Sequence, residues 1–302
     1  MKVGRHRIAI SHPEKTLFPG AGLTKHDLAD YYRRIAPRMV PLIRDRPLTL
    51  HRFPDGIEHD GFYQQQAAEH FPGWIARARL PRESGGEVEH AMANNAATLV
   101  WLANQGCITL HAWTARATNP RHPDRMVFDL DPSDNDFGAV CRAARTLRDV
   151  LTDIGLTGFV MSTGSRGLHV RVVLKPEQTF DEVRAFAGRI AAVAAAREPR
   201  HLTTRQRKSR RGGRLYLDNM RNAYGQTAVA PYAVRALPHA PVALPLDWHE
   251  LGRRHLRADR YRIDNVFRRL AHKADPWHGM ARHAVSLAAH EAALQAVETD
   301  HG

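Results

Sequence analysis

The segment Met126-Val127-Phe128-Asp129-Leu130-Asp131-Pro132 carries two carboxylates two positions apart in a run that otherwise reads as a strand. Strand alternation sends Met126, Phe128 and Leu130 to one face and Asp129 and Asp131 to the other. About 6–7 Å apart along the strand, two ionised carboxylates repel in a low dielectric, and hard divalent cations relieve that repulsion by binding their oxygens. In phosphoryl and nucleotidyl transfer such metals also bridge phosphate oxygens and orient the attacking hydroxyl. A third acid, Asp218, ends Arg214-Leu215-Tyr216-Leu217-Asp218, where Leu215 and Leu217 face the core and Tyr216 and Asp218 lie opposite. Three carboxylates on strand ends make the donor set of a two-metal site. The competing readings are a strand end with solvated acids and, for Asp218 before Asn219, a turn former.

Between these acids lies Thr163-Gly164-Ser165-Arg166-Gly167-Leu168-His169, a glycine-containing turn feeding a strand whose Leu168, Val170, Val172 and Leu174 form the buried face. Its glycines let backbone N–H groups approach an anion, the hydroxyls of Thr163 and Ser165 and the Arg166 guanidinium can bind phosphate, and His169 points away from the core. Gly-Ser turns are common outside phosphate sites, so the motif draws its weight from its neighbours. Between Arg200 and Arg214 stand seven basic residues (Arg200, Arg205, Arg207, Lys208, Arg210, Arg211 and Arg214) and no acid. That density exceeds what solubility requires and suits contact with a polyanion; a solvated basic loop is the alternative.

The elements that must position these groups can be read from periodicity. Thr24 is an N-cap with Asp27 in the first turn, and Leu28, Tyr31, Tyr32 and Ile35 recur at helical spacing until Pro37 disturbs the ladder. Short strands are expected at Leu48–Phe53 and Ile108–Ala115, with a helix over Asn94–Asn104 packed beneath them. The middle alternates strand 125–131, a helix over 136–154 closed by Gly155, strands 158–162 and 168–174, and a helix over 180–196. A strand at 214–218 and a surface helix over 285–297 complete the set. This mixture predicts an α+β fold with mixed, mostly antiparallel sheets flanked by helices. Without linker, low-complexity tract or repeat, the 302 residues read as one domain. Its N-terminal portion covers about 1–120; the portion over 121–302 carries the acidic motifs, and the two are not independent.

Lys plus Arg exceed Asp plus Glu by 13, which makes nucleic acid the first candidate partner. No apolar run approaches the roughly 18 residues of a membrane span, and the start MKVGRHRIAI lacks the features of a signal peptide, so a cytoplasmic protein without membrane contact is expected. Cys107 and Cys141 form no CxxC pair; both are read as buried thiols, with neither a disulfide framework nor a structural zinc site.

The order DxD, then Thr-Gly-Ser-Arg-Gly-Leu-His, then a hydrophobic strand ending in Asp resembles the three motifs of the archaeo-eukaryotic primase superfamily. Further blocks are similar to the polymerase domain of bacterial ligase D, from about residue 8 to about residue 280. They are His12-Pro13-Glu14-Lys15, Leu17-Phe18-Pro19, Arg52-Phe53-Pro54-Asp55-Gly56, Leu99-Val100-Trp101-Leu102-Ala103, Asp218-Asn219-Met220-Arg221-Asn222 and Thr227-Ala228-Val229-Ala230-Pro231-Tyr232. The resemblance implies a primase-polymerase type core in which Asp129, Asp131 and Asp218 hold two Mn²⁺ or Mg²⁺ ions. It places Thr163, Ser165, Arg166 and His169 on the triphosphate of an incoming NTP or dNTP. Arg221 and Arg235 match further basic positions of that pocket, and His111 matches a histidine beside the nucleotide sugar. Phe62 and Tyr63 match an aromatic pair that stacks against a template base, a contact that holds any base without reading sequence. Lys15 and Lys25 match lysines that hold the 5′-phosphate of a recessed DNA end, and Arg52, Arg205, Lys208 and Arg210 join the DNA contacts.

By the same resemblance the protein is a nucleotidyltransferase that fills in or extends DNA ends during bacterial non-homologous end joining. It prefers ribonucleotides, lies with the nucleoid, and works with Ku and a separate or fused DNA ligase. Arg166 stands for the usual Lys and keeps the charge, Gln65 stands for a Lys after the aromatic pair, and Asn219 for an aromatic after the third Asp. No lysine nucleophile motif and no room for a ligase domain are seen, so sealing is expected from another protein. The cysteine-rich zinc module of cellular primases is also missing, which disfavours dedicated primer synthesis. Two other readings stay open: a stand-alone primase-polymerase that starts chains without a primer, and an end-binding factor without catalysis. The second leaves three mutually repelling acids in a basic protein without a purpose.

Overall fold

Thr24 starts the first long helix as its residue type predicts: its hydroxyl accepts from the Asp27 N–H while the Asp27 carboxylate accepts from the Thr24 backbone, a reciprocal capping box. The helix then runs Lys25–Ile43, straight through Pro37 and Pro41, where the sequence reading ended it at Pro37. Each of the two interior prolines costs about 3 kcal/mol. Burying Ile35, Met39, Val40 and Ile43, each worth about 1.5–3 kcal/mol, outweighs that, and all four side chains are buried. The computed structural model describes residues 1–132 and 136–300. By its internal contacts the chain forms two compact units.

The first unit comprises Met1–Thr118, Thr227–Leu244 and Tyr261–Lys273. Its main sheet has four strands in the order Thr227–Val229, Cys107–Trp113, Leu48–Arg52 and Phe62–Gln64, every pair antiparallel. The register sets His111 opposite Thr49 on one side and Val229 on the other. Helix Ala96–Asn104, capped by Asn95, packs chiefly on helix Lys25–Ile43.

The second unit comprises Asn119–Gln226, Pro245–Arg260 and Ala274–Gly302. Its six-stranded sheet has the order Leu202–Thr203, Leu215–Asp218, Arg125–Asp131, Leu168–Val173, Phe159–Ser162 and Leu244–Leu246. The three central strands pair antiparallel, while Leu202–Thr203 pairs parallel with its neighbour. Helices Phe137–Asp153, N-capped by Asp136, and Phe180–Arg197, opened by a Thr179–Glu182 capping box, bury their apolar sides. The expected C-terminal helix is split: 287–290 forms a 3-10 turn, and the α-helix proper is Glu291–Thr299. It is held by Arg189, which donates to both Glu291 and Glu298.

The α+β class and the mostly antiparallel sheets are those the periodicity predicted. Among the described residues no helix is long and apolar enough to cross a membrane. Cys107 and Cys141 are buried free thiols, pushed up to about 12 and about 11 by burial.

One contact fixes the strand that bears two of the acids. Asn222 is fully buried; its amide accepts from the Val127 N–H and donates to the Val127 carbonyl, both at 2.8 Å, and donates again to the Asn219 carbonyl. Asn222→Ala strands both Val127 groups in the core, each costing about 1–3 kcal/mol. The expected result is a loss of roughly 2–4 kcal/mol, read as a lowered thermal midpoint; an unchanged midpoint would contradict the contact.

Candidate active site

Sheet register brings the acids together. Asp129 lies opposite Asp218 on one neighbouring strand and opposite His169 on the other, and Asp131 lies opposite Tyr216. Residues directly opposite in an antiparallel pair share a face, so Asp129, Asp131, Asp218, His169 and Tyr216 all project to one side. Asp129, Asp131 and Asp218 line a cavity of about 250 Å³ together with Arg166, Lys208, Arg211, Tyr216 and Arg221. Three carboxylates thus meet four cationic side chains in one small space.

The three acids are not equivalent. Burial by itself would raise the Asp129 carboxyl, but His169 and Arg221 outweigh it and hold this acid far below the usual carboxylate range. Arg221 Nε donates to its Oδ2 at 3.1 Å, and His169 Nε2 stands 3.4 Å from its Oδ1. Arg171, which can only donate, lies 3.4 Å from His169 Nδ1, so Nδ1 accepts and the ring proton sits on Nε2, facing Asp129. Asp131 is pushed the other way, by burial and then by the charge of Asp129. Asp218 is also raised, by burial first, although its Oδ1 accepts from the Met220 N–H at 2.7 Å. Burial lowers the His169 pKa, and the neighbouring Asp129 carboxylate opposes that shift.

This donor set is hard oxygen chemistry under like-charge stress, which divalent cations relieve. Among the described residues no group of three or more His, Cys, Asp or Glu side chains surrounds a common point. The oxygens on hand fit Mg²⁺ or Mn²⁺ by type, with Asp129 turned toward Arg221 and His169.

The Thr163–Gly167 turn departs from its expected use. The Thr163 hydroxyl donates to the Gly167 carbonyl and accepts from the Gly167 N–H, so it closes the turn on itself. Arg166 is exposed and reaches the cavity; Ser165 is half-buried. His169 lies on the expected face, but it is buried there, with only 3% of the residue exposed. Gly167 is needed for a tighter reason than anion approach: a β-carbon there would lie 2.2 Å from the Leu130 carbonyl oxygen and 2.4 Å from Asp131 Oδ1.

The basic run divides. Lys208, in a 3-10 turn over Lys208–Arg210, and Arg211 come to the carboxylate cavity, whereas Arg205 and Arg210 are exposed and do not line it. Arg211 packs its guanidinium 4.5 Å over the Tyr216 ring. Tyr216 and Asn222 were not read as site residues, and Arg211 was read only as part of the basic run. Tyr216 had a signal in its alternation with Asp218; Asn222 acts through a contact that no local pattern reports.

In the first unit, Lys15 and Lys25 are drawn together by the hydrogen bond from the Lys25 N–H to the Lys15 carbonyl. Lys15 pairs with Asp55 at 2.5 Å, and the Lys25 ammonium reaches Ser11 Oγ at 3.3 Å. Burial, then the charge of Lys15, lowers the Lys25 pKa, a strain that an anion would relieve. Phe62 and Tyr63 are 46% and 63% exposed on the edge strand, unusual for aromatics and open for stacking. His51 stacks on Tyr63 at 4.1 Å with the rings 9° apart, and His111 meets Tyr63 edge-on. Arg52 is engaged within the protein: it donates to the Gln105 carbonyl and to Gln64 and lies 5.3 Å from the Phe62 ring, bracing the aromatic strand. Arg235 is half-buried after a turn described below.

Known proteins resemble this chain in sequence and fold. Residues 24–277 match the family described as the primase-polymerase domain of LigD. The chain is 33% identical over 272 residues to the multifunctional non-homologous end joining protein LigD of Mycolicibacterium smegmatis, covering 89% of this chain and 35% of that protein. It is 29% identical over 273 residues to the bifunctional non-homologous end joining protein LigD of Bacillus subtilis, covering 90% of this chain and 44% of that one. It therefore spans less than half the length of either relative. Among solved structures it superimposes on the polymerase domain from Mycobacterium tuberculosis ligase D in complex with DNA. The TM-score is 0.86 at 32% identity, over 92% of this chain and 99% of that one.

The close approach at residue 167 yields a test. Gly167→Ala forces backbone against backbone, at a cost of about 1–3 kcal/mol, and must displace either the turn or Asp131. A lowered thermal midpoint is expected; a wild-type midpoint would refute the contact.

Proposed function

Since the chain belongs to the LigD primase-polymerase domain family, we propose that it adds nucleotides to the 3′ ends of DNA during the joining of double-strand breaks, with ribonucleotides preferred. The observation that carries this reading is the set of three aspartates sharing one cavity with Arg166, Lys208, Arg211 and Arg221. Carboxylates serve metal-assisted transfer, cations serve a triphosphate, and an end-binding protein needs neither in one place. The match to a polymerase domain in complex with DNA supports DNA as the partner, and the net charge of +13 suits a polyanion.

Asp129, Asp131 and Asp218 would hold two divalent cations, Mg²⁺ or Mn²⁺, which when bound lower the pKa of the attacking 3′-hydroxyl and neutralise charge on the departing pyrophosphate. Arg166 and Arg221 bind the triphosphate, with Arg221 exchanging its ion pair with Asp129 for phosphate oxygens. Lys208 and Arg211 add positive charge on the same cavity. Thr163 shapes the turn that presents Ser165 and Arg166. His169 fixes the Asp129 carboxylate from the side opposite Arg221. His111 and Arg235 are assigned to the nucleotide by the sequence blocks they belong to, and Phe62 and Tyr63 to a template base. Lys15 and Lys25 receive the 5′-phosphate across a gap, while Arg205 and Arg210 meet the DNA backbone. Ku and a DNA ligase are the partners this reading calls for, inside a bacterial cell.

The decisive experiment is extension of a gapped, 5′-phosphorylated duplex with Mn²⁺ and each nucleotide type. Asp129→Ala is expected to abolish extension, since it removes a ligand and leaves Arg221 without its counter-charge. Wild-type rates in the variant would sink the assignment. Lys15→Ala with Lys25→Ala is expected to weaken use of ends bearing a 5′-phosphate by roughly ten- to a hundredfold, because a terminal phosphate accepts several charge-assisted hydrogen bonds. The same ends lacking the phosphate should change little. Equal losses on both substrates would mean these lysines are general backbone contacts.

A further inference from the structure

Two buried tyrosines that the mechanism does not use converge on a strained stretch of the first unit. Tyr232 is completely buried at φ +67°, in the left-handed region that a bulky L residue enters only where its surroundings impose it. Those surroundings come from the first long helix. Tyr31 OH donates to the Tyr232 carbonyl at 2.7 Å. Tyr32 OH donates to the Ile108 carbonyl at 2.6 Å and accepts from the Val234 N–H at 3.2 Å. Both rings are 1% exposed, and burial raises both phenol pKa values, so both hydroxyls keep their protons. Backbone bonds complete the frame: Tyr232 N–H to the Ala243 carbonyl, Arg235 N–H to the Pro241 carbonyl, and Ala230 N–H to the carbonyl of Leu110, the residue before His111.

We infer that Tyr31 and Tyr32 are positioning residues for nucleotide binding, holding the left-handed turn at Tyr232 so that Arg235 and His111 are presented in fixed register. The inference rests on the nucleotide role proposed above for those two residues. Tyr31 and Tyr32 grip residues 232 and 234 on either side of Ala233, one step before Arg235. Tyr32 also grips residue 108, in the strand that carries His111. A relaxed turn at Tyr232 would redirect the chain into Arg235, whereas packing of the helix needs only the rings. The hydroxyls are therefore separable from the core, and phenylalanine tests them at constant shape.

Extension of a gapped 5′-phosphorylated duplex, with ribonucleotide concentration varied, compares wild type, Tyr31→Phe, Tyr32→Phe, Arg235→Ala and the pair Tyr31→Phe with Arg235→Ala. Tyr31→Phe is expected to raise nucleotide KM about three- to tenfold, the worth of one net hydrogen bond, with kcat and DNA affinity near wild type. In the Arg235→Ala background the tyrosine substitution should add no further increase in KM, because its effect travels through the arginine. An unchanged KM in Tyr31→Phe, or the same penalty with and without Arg235, overturns the inference while leaving the function standing. A wild-type KM in Arg235→Ala instead removes the nucleotide role of Arg235, and the inference falls with it. Should Tyr31→Phe fold poorly, Tyr32→Phe is compared with and without Arg235→Ala; because Tyr32 also holds the His111 strand through Ile108, a smaller but not vanishing KM increase is expected in the arginine background, and an undiminished one overturns the inference.

Discussion

Mutual repulsion of three carboxylates on one face of an antiparallel sheet is the constraint around which the second unit is organised. Asp129 sits on the central strand with Asp218 and His169 directly across on either side, and no register shift of one residue could keep all of them on that face. The charge is contained by Arg221 on one oxygen and His169 on the other. Arg221 in turn depends on Asn222, which docks its 3-10 turn onto the backbone of Val127, two residues before Asp129. Acid, counter-charge and the clamp that places the counter-charge all belong to one strand and the turn beside it. Asp131 and Asp218 are raised, first by burial and then by the charge of Asp129, so the counter-charge gathered at Asp129 does not extend to them.

How far the sequence disclosed this depends on the range of the interaction. The strand over 125–131 was readable because alternation is local, and its ends agree with the structure. Thr24 announced its helix for the same reason, and the helix read over 136–154 agrees with Phe137–Asp153 to within a residue at each end. Pro37 misled because a local cost of one proline was set against nothing; the apolar side chains that outweigh it are distributed over the whole helix. Gly167 has a steric role the motif did not disclose, since a glycine in a turn looks alike whether it admits a phosphate or the Leu130 carbonyl. Thr163 was read as a phosphate ligand from its place in the motif; the turn its hydroxyl closes is a contact the motif does not announce. His169 was placed on the proper face, but a strand pattern does not say whether that face is covered. Arg211 was visible only as one member of the basic run, and Asn222 gave no sign of its clamp, because that role depends on a strand far from it in sequence.

The first unit solves a different problem, presenting groups outward. Tyr63 is backed by the flat ring of His51, and Phe62 by the guanidinium of Arg52, so two exposed aromatics are held by partners beneath them. Gly61 belongs to the same device: a β-carbon there would lie 2.4 Å from the Phe53 ring. Lys15 and Lys25 are likewise brought side by side by backbone pairing. Such preorganisation lowers the ordering entropy that binding must overcome.

The buried cysteines bear on how the protein ages. Thiolate is the form that peroxides attack, and both Cys107 and Cys141 are enclosed with their pKa values pushed far above neutrality. Among the described residues the sulfur most open to an oxidant is instead the thioether of Met220, 37% exposed between Asp218 and Arg221. Methionine sulfoxide is enzymatically reversible, whereas the higher oxides of cysteine mostly are not. Oxidative wear on this molecule would therefore begin next to its acidic cavity, at a lesion that a reductase can undo.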